Sequence, residues 1–188
     1  MGQAENFGSG SVGRTITKTV FCALVLALGV TTLGGCGPSS AKVGRYTVSV
    51  SPTGVAADQA YDVDIFGVAS EGEFAGWGPS EVAGHFAGGS MQAARDGRKP
   101  VTLHWEVGDS STKQLLVSDP MWDTWIDRGA WYLVIASNRE FVTGQGARQP
   151  ARPIVLPLDK RRWKTNVLTI AVEGSGLQLT TRKEPLPE

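Results

Sequence analysis

Apolar and polar residues alternate with a period of two through most of the chain after Val43, the spacing that a half-buried strand imposes. "VGRYTVSVS", Val43 to Ser51, sets Tyr46, Val48 and Val50 on one face and predicts a first strand. Pro52 to Asp58 reads as a turn. "AYDVDIFGVA", Ala60 to Ala69, groups Tyr61, Val63 and Ile65 opposite Asp62 and Asp64, which predicts a strand with one wet face. The cleanest alternation is in "VTLHWEVGD": Val101, Leu103, Trp105 and Val107 face one way, Thr102, His104 and Glu106 the other. "TKQLLVS" predicts the second arm of a hairpin across Gly108 to Ser111. "AWYLVIAS" is apolar on both faces, as a central covered strand must be, and "PIVLP" lies between prolines, which suits an edge. "NVLTIAVEGSGLQLTTRK" predicts two strands joined tightly at Glu173 to Gly176.

Two segments break the alternation with helical spacing. "PSEVAGHFAGG" predicts a short helix with Pro79 near its first position and a stop at Gly88. "SDPMWDTWIDRG" predicts another, capped by Ser118 or Asp119 and stopped by Gly129, with Trp122 and Trp125 sharing a face. "AARDGRKP" reads as a polar connection, and Asn138 to Arg152 as a long mobile loop. No repeat and no second domain is visible. The pattern predicts a mainly β protein: a compact two-sheet β-sandwich of seven or eight strands with one or two short helical inserts. It would span residues 43–183, with 184–188 as a flexible tail.

The N-terminal region follows a different rule. Residues 1–18 are polar and rich in Gly and Ser, ending in Arg14 and Lys18, and from Thr19 the chain runs "TVFCALVLALGVTTLGG". That run is short and interrupted for a membrane span, which needs about 20 apolar residues, and with its basic flank it reads as an export signal. It ends Leu33-Gly34-Gly35-Cys36, which resembles the lipobox of bacterial lipoproteins. The resemblance implies cleavage before Cys36, so that 1–35 is a signal peptide and 36–42 a lipid-anchored tether. It also implies a diacylglyceryl group on the Cys36 thiol and an acyl group on the new amino end. Several acyl chains hold a protein at a bilayer where one would be marginal. Gly37, not Asp, follows the cysteine, which in the family's usual sorting implies lodging at the outer membrane on its periplasmic face. The alternative is a retained span, or a Cys36 buried at a helix end. A helix ending in Gly-Gly-Cys-Gly-Pro has no evident packing purpose.

Composition narrows the function. The 188 residues carry a formal net charge of zero, which argues against a nucleic-acid partner, since phosphate neutralisation needs a basic excess. Both cysteines, Cys22 and Cys36, precede the predicted domain, so it holds neither an internal disulfide nor a thiolate metal site. His85 and His104 are the only histidines, have no metal-ligand spacing, and read as surface residues. "GGS" at Gly88 to Ser90 lacks the nucleophile-elbow pattern, no phosphate-cradling Gly-x-x-x-x-Gly-Lys loop occurs, and Asp62 and Asp64 read as solvated acids. These absences point away from an enzyme, which would need His85 or His104 in a pocket beside a nucleophile or base. Cofactors are not expected beyond the lipid at Cys36.

Six tryptophans are the richest remaining feature. Trp105 and Trp131 fall at strand positions and read as core. Trp122 and Trp125 read as a lid over one end of the sandwich, or else as a sugar- or peptide-binding platform. Trp77, in a Gly-rich stretch with Phe74, reads as the most exposed. Lys160, Arg161, Arg162 and Lys164 concentrate charge beside Trp163 and suit anionic headgroups, an acidic partner or a solvated turn. The candidate contact residues are therefore Phe74, Trp77, Trp122, Trp125, Arg161 and Arg162.

The strand plan, with "PIVLPLD" before "NVLTIAVEGSGLQL", is similar to that of the small outer-membrane lipoprotein family of type VI secretion systems. Long inserts at Gly67 to Pro100 and Asn138 to Arg152 stand beside that plan. The resemblance implies a β-sandwich that tethers the periplasmic part of an inner-membrane protein to the outer membrane, through loops at one end of the sandwich. The rival class is a glycan- or peptidoglycan-binding module using exposed aromatics.

Overall fold

A computed structural model describes residues 41–53, 59–142 and 146–186. The expected signal peptide, the lipobox-like Leu33 to Cys36 and most of the expected tether lie outside the described residues.

Among the described residues, ten strands form two four-stranded sheets and a two-stranded ribbon. The first sheet has the order β10-β9-β1-β4, from β1 (Thr47–Pro52), β4 (Lys113–Leu115), β9 (Val167–Glu173) and β10 (Gly176–Leu179). Here β1 and β9 are parallel, whereas β4 and β10 run antiparallel to their neighbours. The second sheet, β3-β2-β5-β8, is wholly antiparallel, from β2 (Tyr61–Val68), β3 (Val101–Trp105), β5 (Tyr132–Ser137) and β8 (Ile154–Pro157).

Alternation decides what lies between the sheets. Val48 and Val50 of β1, beside Leu168 and Ile170 of β9, meet Tyr61, Val63 and Ile65 of β2 and Leu133 and Ile135 of β5 in one core. The predicted sandwich is present, with the central β5, the proline-bounded edge β8 and the β9–β10 hairpin where the pattern puts them.

Four expectations are corrected. First, β3 and β4 are not a hairpin: β3 pairs with β2 in one sheet and β4 with β1 in the other. The chain turns the corner at Glu106 to Thr112, where Asp109 N donates to Glu106 O and the Trp105 indole N–H to Ser111 O. Val107, counted with the core face, is exposed beyond the strand end.

Second, the insert after β2 holds three helices: α1 (Gly72–Ala75), α2 (Pro79–Phe86) and α3 (Gln92–Arg98), the last in the supposed polar connection. Pro79 opens α2 as the sequence predicts, and the Gly78 N–H donates to Glu81 Oε2 at 2.9 Å. Third, Asn138 to Arg152 contains the ribbon of β6 (Glu140–Val142) and β7 (Arg148–Pro150), with Phe141 buried. Fourth, the tail is tied down as far as Glu184, whose N–H donates to Arg162 O at 2.8 Å.

The last helix, α4 (Met121–Asp127), lays Trp122 and Trp125 into the core. It seats against β2 at Gly67, where a Cβ would stand 2.6 Å from the Trp125 Cβ. Only a residue without a side chain allows that approach.

Candidate functional site

The outer face of the second sheet is wet only in part: Thr102 and His104 are exposed on it and Asp62 is half-buried. Asp64, Phe66, Val134 and Ala136 share that face and are fully buried, because the helical insert covers it there. Asp64 Oδ2 accepts from Arg95 Nε at 2.6 Å and pairs with His85 Nε2 at 2.8 Å. Its Oδ1 accepts from Arg95 Nη2 at 2.9 Å and Thr102 Oγ1 at 2.6 Å. Each element supplies one part: β2 the carboxylate, α2 the imidazole, α3 the guanidinium, β3 the hydroxyl.

Burial alone would raise the Asp64 carboxyl, but the hydrogen bonds from His85, Arg95 and Thr102, with the Arg95 charge, outweigh it and hold the group below its ordinary value. Four donors saturate the carboxylate, and His85, set down as a surface histidine, has no exposed atom. An acid–base pair needs a free face toward substrate. This one has none, and its chemistry is that of a pin holding the helices to the sheet.

A guanidinium completes the pin. Arg98 lies 5.4 Å from the Phe74 ring centroid, 5.3 Å from that of Trp77 and 5.9 Å from that of Phe66. Phe74 is thus buried, and Trp77 is half-buried beside it. His104 is the surface histidine: it pairs through Nδ1 with Asp62 at 2.6 Å and through Nε2 with Glu106 at 3.0 Å, and these bonds raise its pKa. Among the described residues no group of three or more metal-ligating side chains converges.

The proposed aromatic platform does not form. Trp122 and Trp125 are 0 % and 1 % exposed, and their indole N–H groups donate to Leu116 O at 3.0 Å and Lys99 O at 3.1 Å. They are core residues, carried by α4 against β2. Trp131, taken as core, is 42 % exposed, because it precedes β5 and only its backbone is engaged, to Val68 O and from Leu158 N. The basic run forms one turn of 3-10 helix, Lys160–Arg162, after β8. Arg161 grips Asp159, whose carboxyl is held low by that contact, and Arg162 Nη1 donates to Glu184 O at 3.2 Å. The six contact candidates thus divide: Phe74, Trp122 and Trp125 lie in the core, Trp77 joins the insert, and Arg161 and Arg162 share one turn.

What sequence reasoning missed lies at the N-terminal end of the domain. Two clefts are lined in part by the segment that leads into β1. One of about 560 Å³ is lined by Val43, Arg45, Lys160 and Trp163; the other, about 340 Å³, by Ala41, Trp131, Arg162 and Leu186. Backbone bonds join the walls: Lys160 N donates to Lys42 O at 2.9 Å and Gly44 N to Leu158 O at 2.7 Å. Arg139 was also missed, inside the supposed loop. It is buried, donates to Glu173 O at 2.9 Å and lies over the Phe141 ring.

No family model matches the chain, and no curated protein matches it. Solved structures do. The chain is similar to the C-terminal domain of the type VI secretion protein TssM from EAEC, at 14 % identity and a TM-score of 0.44, over 73 % of this chain and 98 % of that one. It is similar to Lip of Serratia marcescens, a membrane-bound component of the type VI secretion system, at 12 % and 0.41, over 76 % and 100 %. It is also similar to the type VI secretion lipoprotein TssJ1 of Pseudomonas aeruginosa, at 11 % and 0.44, over 78 % and 100 %. The last belongs to the family that the strand plan resembles. These likenesses transfer no residue role to this chain.

Proposed function

We propose that this chain is a lipid-anchored structural subunit of the cell envelope, held at the periplasmic face of the outer membrane by acyl chains on Cys36 and acting by contact with an envelope protein. The observation that carries the reading is the sequence Leu33-Gly34-Gly35-Cys36 at the end of the apolar run that starts at Thr19. Support comes from the domain itself. Its one buried acid–histidine pair is saturated by partners, which suits a load-bearing body better than a reaction centre. The strand plan makes an envelope-spanning secretion complex the assembly to test, with the periplasmic region of an inner-membrane protein as its partner. The glycan-module reading loses its platform, since Trp122 and Trp125 are core residues.

The test compares tagged full-length protein with Cys36→Ser in the native host, by lipid labelling, membrane fractionation and co-purification. Labelling and outer-membrane recovery lost in Cys36→Ser, with an envelope protein co-purifying with the wild type, is the expected result. A wild type without lipid and a variant equally bound to membrane would overturn the anchor. Recovery with the inner membrane would overturn the location alone.

A further inference from the structure

The end of the domain where the tether enters has the surface chemistry of a membrane interface. Trp131 and Leu186, each 42 % exposed, line one cleft with Ala41, the first described residue. Lys42, next to Ala41 in the entering segment, and Lys160 opposite it are exposed, brought side by side by the bond between their backbones, and without an ion-pair partner among the described residues. Arg162 borders the cleft that holds Trp131. Amphipathic aromatics and unpaired cations together are what a headgroup layer selects, the ring at the apolar boundary and the amines among the phosphates.

We propose that this end, through Trp131, Leu186, Lys42 and Lys160, seats on the anionic phospholipid headgroups of the leaflet that holds the acyl chains. The inference rests on the acylation of Cys36. Ala41 follows Cys36 by five residue steps, so the domain edge lies within about 18 Å of an acylated cysteine even when the chain between is fully extended. A patch held within that radius stays close to the headgroup region, and two lysines there lengthen contact by roughly fivefold each. Seating would fix which side of the sandwich faces the periplasm and its partner.

The full-length protein, purified from membranes and reconstituted into phosphatidylethanolamine vesicles with or without phosphatidylglycerol, is treated briefly with an amine-acetylating reagent and read by peptide mass. Labelling of Lys42 and Lys160, relative to the chain's other lysines, should fall about fivefold on the anionic vesicles and recover in high salt. Quenching of tryptophan emission by a headgroup-labelled lipid should be lost in Trp131→Phe. Equal labelling on both vesicles, or quenching unchanged in the variant, overturns the seating. The mass of the Cys36 peptide reads the anchor separately. If it carries no lipid, the anchor reading fails and the same labelling ratio is taken on the unacylated chain adsorbed to anionic vesicles, where absence of adsorption overturns the seating too.

Discussion

Replacing Asp64 by Asn tests whether the buried carboxylate pins the helical insert. The amide keeps the shape but loses the charge, and its NH₂ faces donors where Asp64 Oδ1 or Oδ2 accepted. Breaking a buried ion pair by removing one partner costs about 3–5 kcal/mol. The Arg95 side chain keeps 18 % exposure, so water reaches the abandoned guanidinium and the low end, about 3 kcal/mol, applies. For a domain near this size that is about 10 °C in Tm, readable by tryptophan fluorescence during heating or urea unfolding. The pH dependence has a definite sign. The Asp64 carboxyl lies below its ordinary value in the fold, so its stabilisation is complete above about pH 4, the ordinary carboxylate value, and fades as pH falls through the lower folded value. Wild type and Asp64→Asn should therefore converge in acid. A variant within about 0.5 kcal/mol of wild type at neutral pH, or a gap that persists undiminished in acid, would refute the reasoning.

Gly67→Ala should destabilise by about 1–3 kcal/mol, because the new methyl meets both the Trp125 and the Ala130 Cβ atoms; a neutral result in urea unfolding would mean that α4 is free to shift. His104 should titrate above its ordinary value, since Asp62 first and Glu106 second favour the imidazolium, and Asp62→Asn should bring the midpoint down; an imidazole NMR titration at or below the ordinary value contradicts the pairing.

The strands were legible where packing obeys a single periodicity. β1, β5 and the β9–β10 hairpin read directly, because each buries a face or both against neighbours that any apolar strand would accept. The site was illegible for the opposite reason. Asp62 and Asp64 alternate with apolar residues as solvated acids do, and what buries Asp64 is an arginine 31 positions on, in a helix that is polar in sequence. One local signal was present: Phe66 shares the face with the two acids, and an aromatic there needs a cover. The fate of β4 was equally hidden, since a turn of the same length can close a hairpin or change sheets. Trp131 misled because the apolar run that follows it, Tyr132 to Ala136, belongs to the strand and it does not. Lys42 and Lys160 were ordinary residues until folding set their backbones together.

The place of β1 has a mechanical consequence for a chain pulled from its amino end. Force arriving through residues 41–46 loads first the Val43–Asp159 bridge and the bond from Gly44 to Leu158, then β1 itself. β1 is an interior strand, in register with β9 from Thr47 to Pro52 and with β4 from Val48 to Val50. Traction along its axis strains those ladders in shear, so their hydrogen bonds share the load instead of opening one at a time. An edge strand in the same position would peel. The fold thus behaves as a clamp with a weak outer latch, yielding a few residues early and then holding until the whole sheet gives way.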